Sequence, residues 1–95
     1  MTFMKIIQSS KFERTVKKFT TLQKKTLDKH ILKIIEDTSI GDEKKGDLKG
    51  VFIYKFKIGN TQYLLAYRCD ADALELLMIG PHENYYRDLK NYIRS

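Results

Sequence analysis

The spacing of apolar positions changes midway along this chain. Phe12, Val16 and Phe19 recur at helical spacing, and Leu27, Ile31, Ile34 and Ile35 do so again. From residue 51 onward the pattern alternates. Phe52, Tyr54, Phe56 and Ile58 point one way, and Val51, Ile53, Lys55 and Lys57 point the other. A period near 3.6 marks amphipathic helices, and a period of 2 marks strands. Ahead of the helices, Phe3 to Gln8 reads as a short first strand. Ser9 and Ser10 offer an N-cap to the first helix, and Thr20-x-x-Gln23 offers a capping box to the second. The polar, glycine-containing segment DTSIGDEKKGDLKG reads as a loop. Gly59-Asn60 is a two-residue turn into a strand over Thr61 to Arg68, and Asp70, Ala71 and Asp72 turn into another over Ala73 to Ile79. Tyr85, Leu89, Tyr92 and Ile93 define a final helix. The expected class is α+β, in the order β-α-α-β-β-β-α. It has a small antiparallel β-sheet, an N-terminal helical hairpin packed on one face, and a short C-terminal helix.

Composition narrows the picture further. The 95 residues are expected to make one domain, spanning 1–95, with room for one modest core. Hydrophobic residues make up 42% and charged residues 32%, the balance of a globular chain. No apolar run approaches membrane-spanning length, and MTFMKIIQSS lacks the apolar stretch of a secretory signal. Met4 offers an alternative start. Cys69 is the sole cysteine, which excludes an internal disulfide and a cysteine zinc cluster. The cytoplasm is the expected location. The net charge of +6 is spread from Lys5 to Arg94, so a nucleic acid or an acidic protein would both suit the surface.

Candidate chemistry concentrates in LLMIGPHENYYRDLKNY, residues 76–92. An apolar strand ends at Gly80-Pro81, and His82 follows at once. A strand end holds a side chain accurately, and histidine changes charge near neutral pH. A lone histidine at a helix start also serves as a cap or a surface group. Lys55 and Lys57 project from one strand face, roughly 7 Å apart. Alone they would be ordinary solvated lysines guarding a strand. With His82, Tyr86 and Arg87 they make a set sufficient for RNA cleavage: a proton-transfer group, cations at the phosphate, and an aromatic surface for a base. His30 lies near an apolar helix face and reads as structural. Asp70, Asp72 and Glu75 lack the further ligands a metal site needs.

Several of these pieces, taken in order, resemble the RelE/ParE superfamily of toxins from type II toxin–antitoxin modules. They are the helical hairpin, the KKGDLKG loop, the YKFKIG and QYLLAY strands, and the IGPHENYY segment. YKFK resembles the YKIK strand of RelE, which implies phosphate contacts for Lys55 and Lys57. GPH resembles GTH of the YafQ branch, which implies that His82 is a general acid or base. Tyr86, four positions later, would stack or orient a base. Arg87, Lys49 and Tyr63 are the further RNA contacts this reading expects. The chain departs from RelE at Leu64 and His82, where RelE has arginines. It departs from the YafQ branch at Gln62-Tyr63, where that branch has Asp-Trp. The resemblance implies a ribosome-dependent messenger-RNA endoribonuclease that inhibits translation. Its partners would be messenger RNA, the ribosome and a cognate antitoxin, with no metal or organic cofactor. The alternatives are a ParE-like gyrase inhibitor and a non-catalytic module that binds only its antitoxin.

Overall fold

A computed structural model describes residues 4–94. The elements are β1 (Lys5–Gln8), α1 (Ser10–Lys17), α2 (Thr21–Glu36), β2 (Asp42–Glu43), a 3-10 turn (Gly46–Leu48), β3 (Phe52–Ile58), β4 (Thr61–Asp70), β5 (Ala73–Pro81) and α3 (Tyr85–Arg94). The expected class and order hold, with the two-residue β2 added. Phe3, the expected start of the first strand, lies outside the described residues.

The helix starts follow their capping signals. The Ser9 hydroxyl accepts from the Phe12 N–H at 2.9 Å. Both halves of the capping box form, Gln23 N–H to Thr20 Oγ1 at 3.1 Å and Thr20 N–H to Gln23 Oε1 at 2.8 Å. Phe12, Leu27 and Ile34 are buried, and Val16, Phe19, Ile31 and Ile35 pack around them.

The five strands run in the order β1-β5-β4-β3-β2. Gly59, at φ 62°, makes the tight β3–β4 turn, which pairs Ile58 with Thr61 and fixes the register back to Phe52 with Tyr67. One pairing departs from the antiparallel expectation, since β1 lies parallel to β5. Each later strand runs against the one before it, so β2 and β4 run opposite to β1, and the path through two helices and three strands brings β5 back beside β1 in the same direction.

The sheet carries a core on each face. The hairpin covers Tyr54, Phe56, Leu65, Tyr67, Leu74, Leu76 and Ile79. On the opposite face Ile53, Leu64, Ala66, Leu77 and Met78 pack with Leu48, Tyr85 and Leu89. The helices therefore do not share a face. α3 and the 3-10 turn lie across from the hairpin, because the strands carry apolar side chains on both sides there.

A bulge in β5 joins the two layers. Ala66 pairs with Met78 but Tyr67 pairs with Leu76, so Leu77 is the extra residue. Two side chains occupy the carbonyls at the bulge. The Ser9 hydroxyl donates to the Leu77 carbonyl at 2.6 Å, and the Tyr85 hydroxyl donates to the Met78 carbonyl at 2.6 Å. Burial pushes the Tyr85 phenol far above its usual range, so it remains a donor. The bulge thus ties α1 and α3 to the same strand.

Candidate functional site

Side chains directly opposite one another in an antiparallel ladder share a face. Lys55 pairs with Leu64, and Leu64 with Gly80. Lys57 pairs with Gln62, and the His82 N–H donates to the Gln62 carbonyl at 3.2 Å, continuing the ladder past Pro81. Lys57, Gln62 and His82 therefore form one row across three strands, with Lys55 in the next. The backbones at the two ends of this row are roughly 10 Å apart, two strand spacings. All of these side chains belong to the face opposite the hairpin.

The face has two parts. Leu64 and Ala66 are fully buried, and Tyr85 closes over them, its ring 3.6 Å from where a Cβ on Gly80 would stand. Beyond that boundary Lys55, Lys57, Gln62 and His82 are exposed. This part is an open surface. A cleft of about 320 Å³ lies elsewhere, between Ile7, Arg68, Glu75, Tyr92 and Ile93. An open basic strip suits an extended polymer better than an enclosed small molecule.

Tyr86 joins the row from the first turn of α3. Its ring lies 6.4 Å from that of His82 at 86° and 5.9 Å from that of Tyr85 at 89°, both edge-to-face. The backbone brings it there through Asn84, which takes a left-handed conformation at φ 59° and lets the Tyr85 N–H donate to the His82 carbonyl at 3.2 Å.

The structure thus brings Lys55, Lys57, His82 and Tyr86 to one face. Arg87 is exposed, with its Nε 3.7 Å from the Asp88 carboxylate. Lys49 is exposed after the 3-10 turn, ahead of Val51 and so off the opposite end of β3 from Lys57. Tyr63 requires correction as a member of this site. It pairs with Phe56, its ring lies 5.7 Å from Phe19 and 6.2 Å from Phe56, and it faces the hairpin. Two further residues stand on this face. Gln62 lies between Lys57 and His82, and Lys44 places its Nζ 5.4 Å from the centre of the Tyr86 ring.

His30 is structural, as expected. Its Nδ1 lies 2.6 Å from the Tyr54 hydroxyl, and its ring packs 4.6 Å from that of Phe56. Burial, with Lys33 and Lys29 nearby, lowers its pKa. Burial raises the Cys69 pKa, which suits a packed thiol. Among the described residues no three His, Cys, Asp or Glu side chains converge on a metal position.

A family model described as the ParE-like toxin of type II bacterial toxin–antitoxin systems matches residues 6–90. The chain belongs to this family. The toxin also shares its fold with two solved structures. One is in the intact E. coli RelBE toxin–antitoxin complex, at 17% identity and a TM-score of 0.67, covering 84% of this chain and 98% of the other. The second is the isolated E. coli RelE toxin, at 16% identity and a TM-score of 0.65, covering 93% and 97%. No curated protein sequence matches it. The superfamily inferred from the YKFKIG and IGPHENYY segments is therefore the right one. Leu64, one of the two positions at which the resemblance to RelE implied an arginine, is buried beneath α3. Among the described residues no helix is long and apolar enough to cross a membrane.

Proposed function

We propose that the toxin is an endoribonuclease that cuts messenger RNA, on the ribosome and in the cytoplasm, and so inhibits translation. The observation that carries this reading is the row Lys57–Gln62–His82, with Lys55 beside it on the same open face. In this reaction the 2′-oxygen forms a bond to the adjacent phosphorus and the bond to the 5′-oxygen breaks. The 2′-hydroxyl gives up a proton, and the leaving 5′-oxygen takes one. His82 moves one of these protons. Lys55 and Lys57 stabilise the charge that builds on the phosphoryl oxygens. Tyr86, beside His82, offers a ring on which a base stacks and orients the phosphate. Arg87 and Lys49 are outlying backbone contacts. The reaction as drawn uses no metal or organic cofactor.

The decisive experiment adds purified toxin to an in vitro translation reaction and maps breaks in the message. Breaks with 5′-hydroxyl ends are expected. An intact message would refute the reading. The ParE-like description of the family favours a second reading, inhibition of DNA gyrase by binding. A supercoiling assay run in parallel, inhibited while the message stays whole, would establish it. A third possibility is a module that only binds an antitoxin, and it would be inert in both assays.

The fold shared with the toxin of the RelBE complex supports an antitoxin partner. An acidic or amphipathic segment that wraps the basic surface and folds on binding would complement the +6 charge. A small protein encoded next to the toxin is expected to co-purify with it and to neutralise it. Lack of toxicity on expression, with no such neighbour, would count against both partner and function.

A further inference from the structure

The loop between β2 and β3 grips α3 near both of its ends. Lys44 directly follows β2, and its N–H donates to the Val51 carbonyl at 2.9 Å. The pairing of Asp42 with Ile53 and Glu43 with Phe52 puts Lys44 on the Ile53 face, the face of Lys55 and Lys57. The half-buried Lys44 side chain carries its Nζ over the Tyr86 ring, 5.4 Å from the centre, in the first turn of α3. Asp47 pairs with Arg94 in the last turn. Leu48, next to Asp47 in sequence, is buried in the same cluster as Leu89.

The two polar grips differ in kind. Asp47 and Arg94 are both exposed, and an exposed ion pair contributes little to geometry or stability. Lys44 lies over an aromatic face, where a cation is attracted by the ring's electron density. The Tyr86 ring also touches Tyr85 and His82, which flank it in its own segment. The ring also packs against the buried cluster of this face, and Lys44 is a cation that reaches it from another element. We propose that Lys44 is a positioning residue for Tyr86: it holds the ring beside His82, and so sets where a base stacks relative to a phosphate at Lys55 and Lys57. This inference rests on the nuclease reading above.

The test is a double-mutant cycle on message cleavage. Lys44→Met keeps a long side chain and removes the charge. It is expected to slow cleavage about two- to fivefold, the factor that a partly exposed cation–π contact represents. Lys44→Arg should restore the rate, because guanidinium also stacks on aromatic faces. In a Tyr86→Ala background, Lys44→Met should add no further loss. The Tyr86 ring resonances, from 13C-labelled tyrosine and assigned by Tyr86→Phe, should move in Lys44→Met and return in Lys44→Arg. A loss that persists in the Tyr86→Ala background would overturn the inference, since Lys44 would then act on RNA directly or on folding. Full activity of Lys44→Met, with unmoved Tyr86 resonances, would overturn it too. Wild-type toxin that cuts no message would remove the nuclease reading and this inference together.

Discussion

Replacing Tyr85 by phenylalanine removes one oxygen atom from the junction between α3 and the β5 bulge. The ring is 2% exposed and packs beside Gly80, so its shape and contacts are retained. What is lost is the donor at 2.6 Å from the Met78 carbonyl. No water has easy access there, so the carbonyl loses a partner without gaining another. A buried group left unsatisfied costs about 1–3 kcal/mol. For a domain of this size each kcal/mol lowers Tm by about 4–8 °C, which gives an expected fall of roughly 4–24 °C. Thermal unfolding followed by circular dichroism at pH 7 measures it. The folded Tyr85→Phe protein, assayed well below its Tm, should cleave message at near the wild-type rate, because His82 and Tyr86 are still carried by the same turn. A Tm within about 2 °C of wild type, less than half of one such kcal/mol step, would show that the carbonyl does not depend on this hydroxyl and that the bulge does not anchor α3.

Three further outcomes are expected. His82→Gln keeps hydrogen bonding but cannot move protons near neutral pH, so message cleavage should fall by about 10²–10⁴-fold while the fold and antitoxin binding survive; an unchanged rate would eliminate His82 from the mechanism. Lys55→Ala and Lys57→Ala should each weaken cleavage with stability changed by less than about 0.5 kcal/mol, because both side chains are exposed; full activity of the double variant would remove them. His30 has a lowered pKa in the fold, chiefly from burial, so its contribution to stability is present above the unfolded value near 6.5 and is lost as the pH falls through the lower folded-state value. Wild type should therefore lose Tm between about pH 7 and pH 5 more steeply than His30→Gln, and parallel curves would show that His30 titrates alike in both states.

Much of this architecture could be read from the sequence because local rules and tertiary packing agree in it. The capping box at Thr20 and Gln23 formed as written, and the Gly59-Asn60 turn fixed the β3–β4 register. That register also contained the answer for Tyr63. A two-residue turn after Ile58 places Tyr63 opposite Phe56, on the apolar side, and Gln62 opposite Lys57. Continued across the turn, the alternation that sorts the lysines also sorts Tyr63 away from them. The position of α3 was less legible. Tyr85, Leu89 and Ile93 show that the helix has an apolar side, but not which sheet face receives it. The signal was on the strands: Val51, Ile53, Leu64 and Ala66 need covering as much as Tyr54 and Phe56 do. Lys44 was hidden in a run of loop lysines. Its face is set by the two-residue β2, too short to leave a periodic signature.

Leu64 shows how the two parts of this face depend on each other. It stands between Lys55 and Gly80, where an arginine would put a charge at the middle of any phosphate site. Instead the leucine is fully buried with Ile53, Ala66, Met78 and Tyr85. A guanidinium among these side chains would lose its hydration without a carboxylate to replace it. The position cannot be both the centre of an anion site and the seat of α3. With leucine there, α3 closes down on the sheet and the face is divided. The buried part fixes the helix, and the helix fixes the turn that carries His82 and Tyr86. The cations are displaced to the rim, to Lys55 and Lys57 on β3 and to Lys44 across the ring of Tyr86. Catalytic groups need rigid support close by, and a chain this small has few places to provide it. In the proposed site one helix serves both as core and as wall, with His82 at its edge and Lys55 and Lys57 beside it.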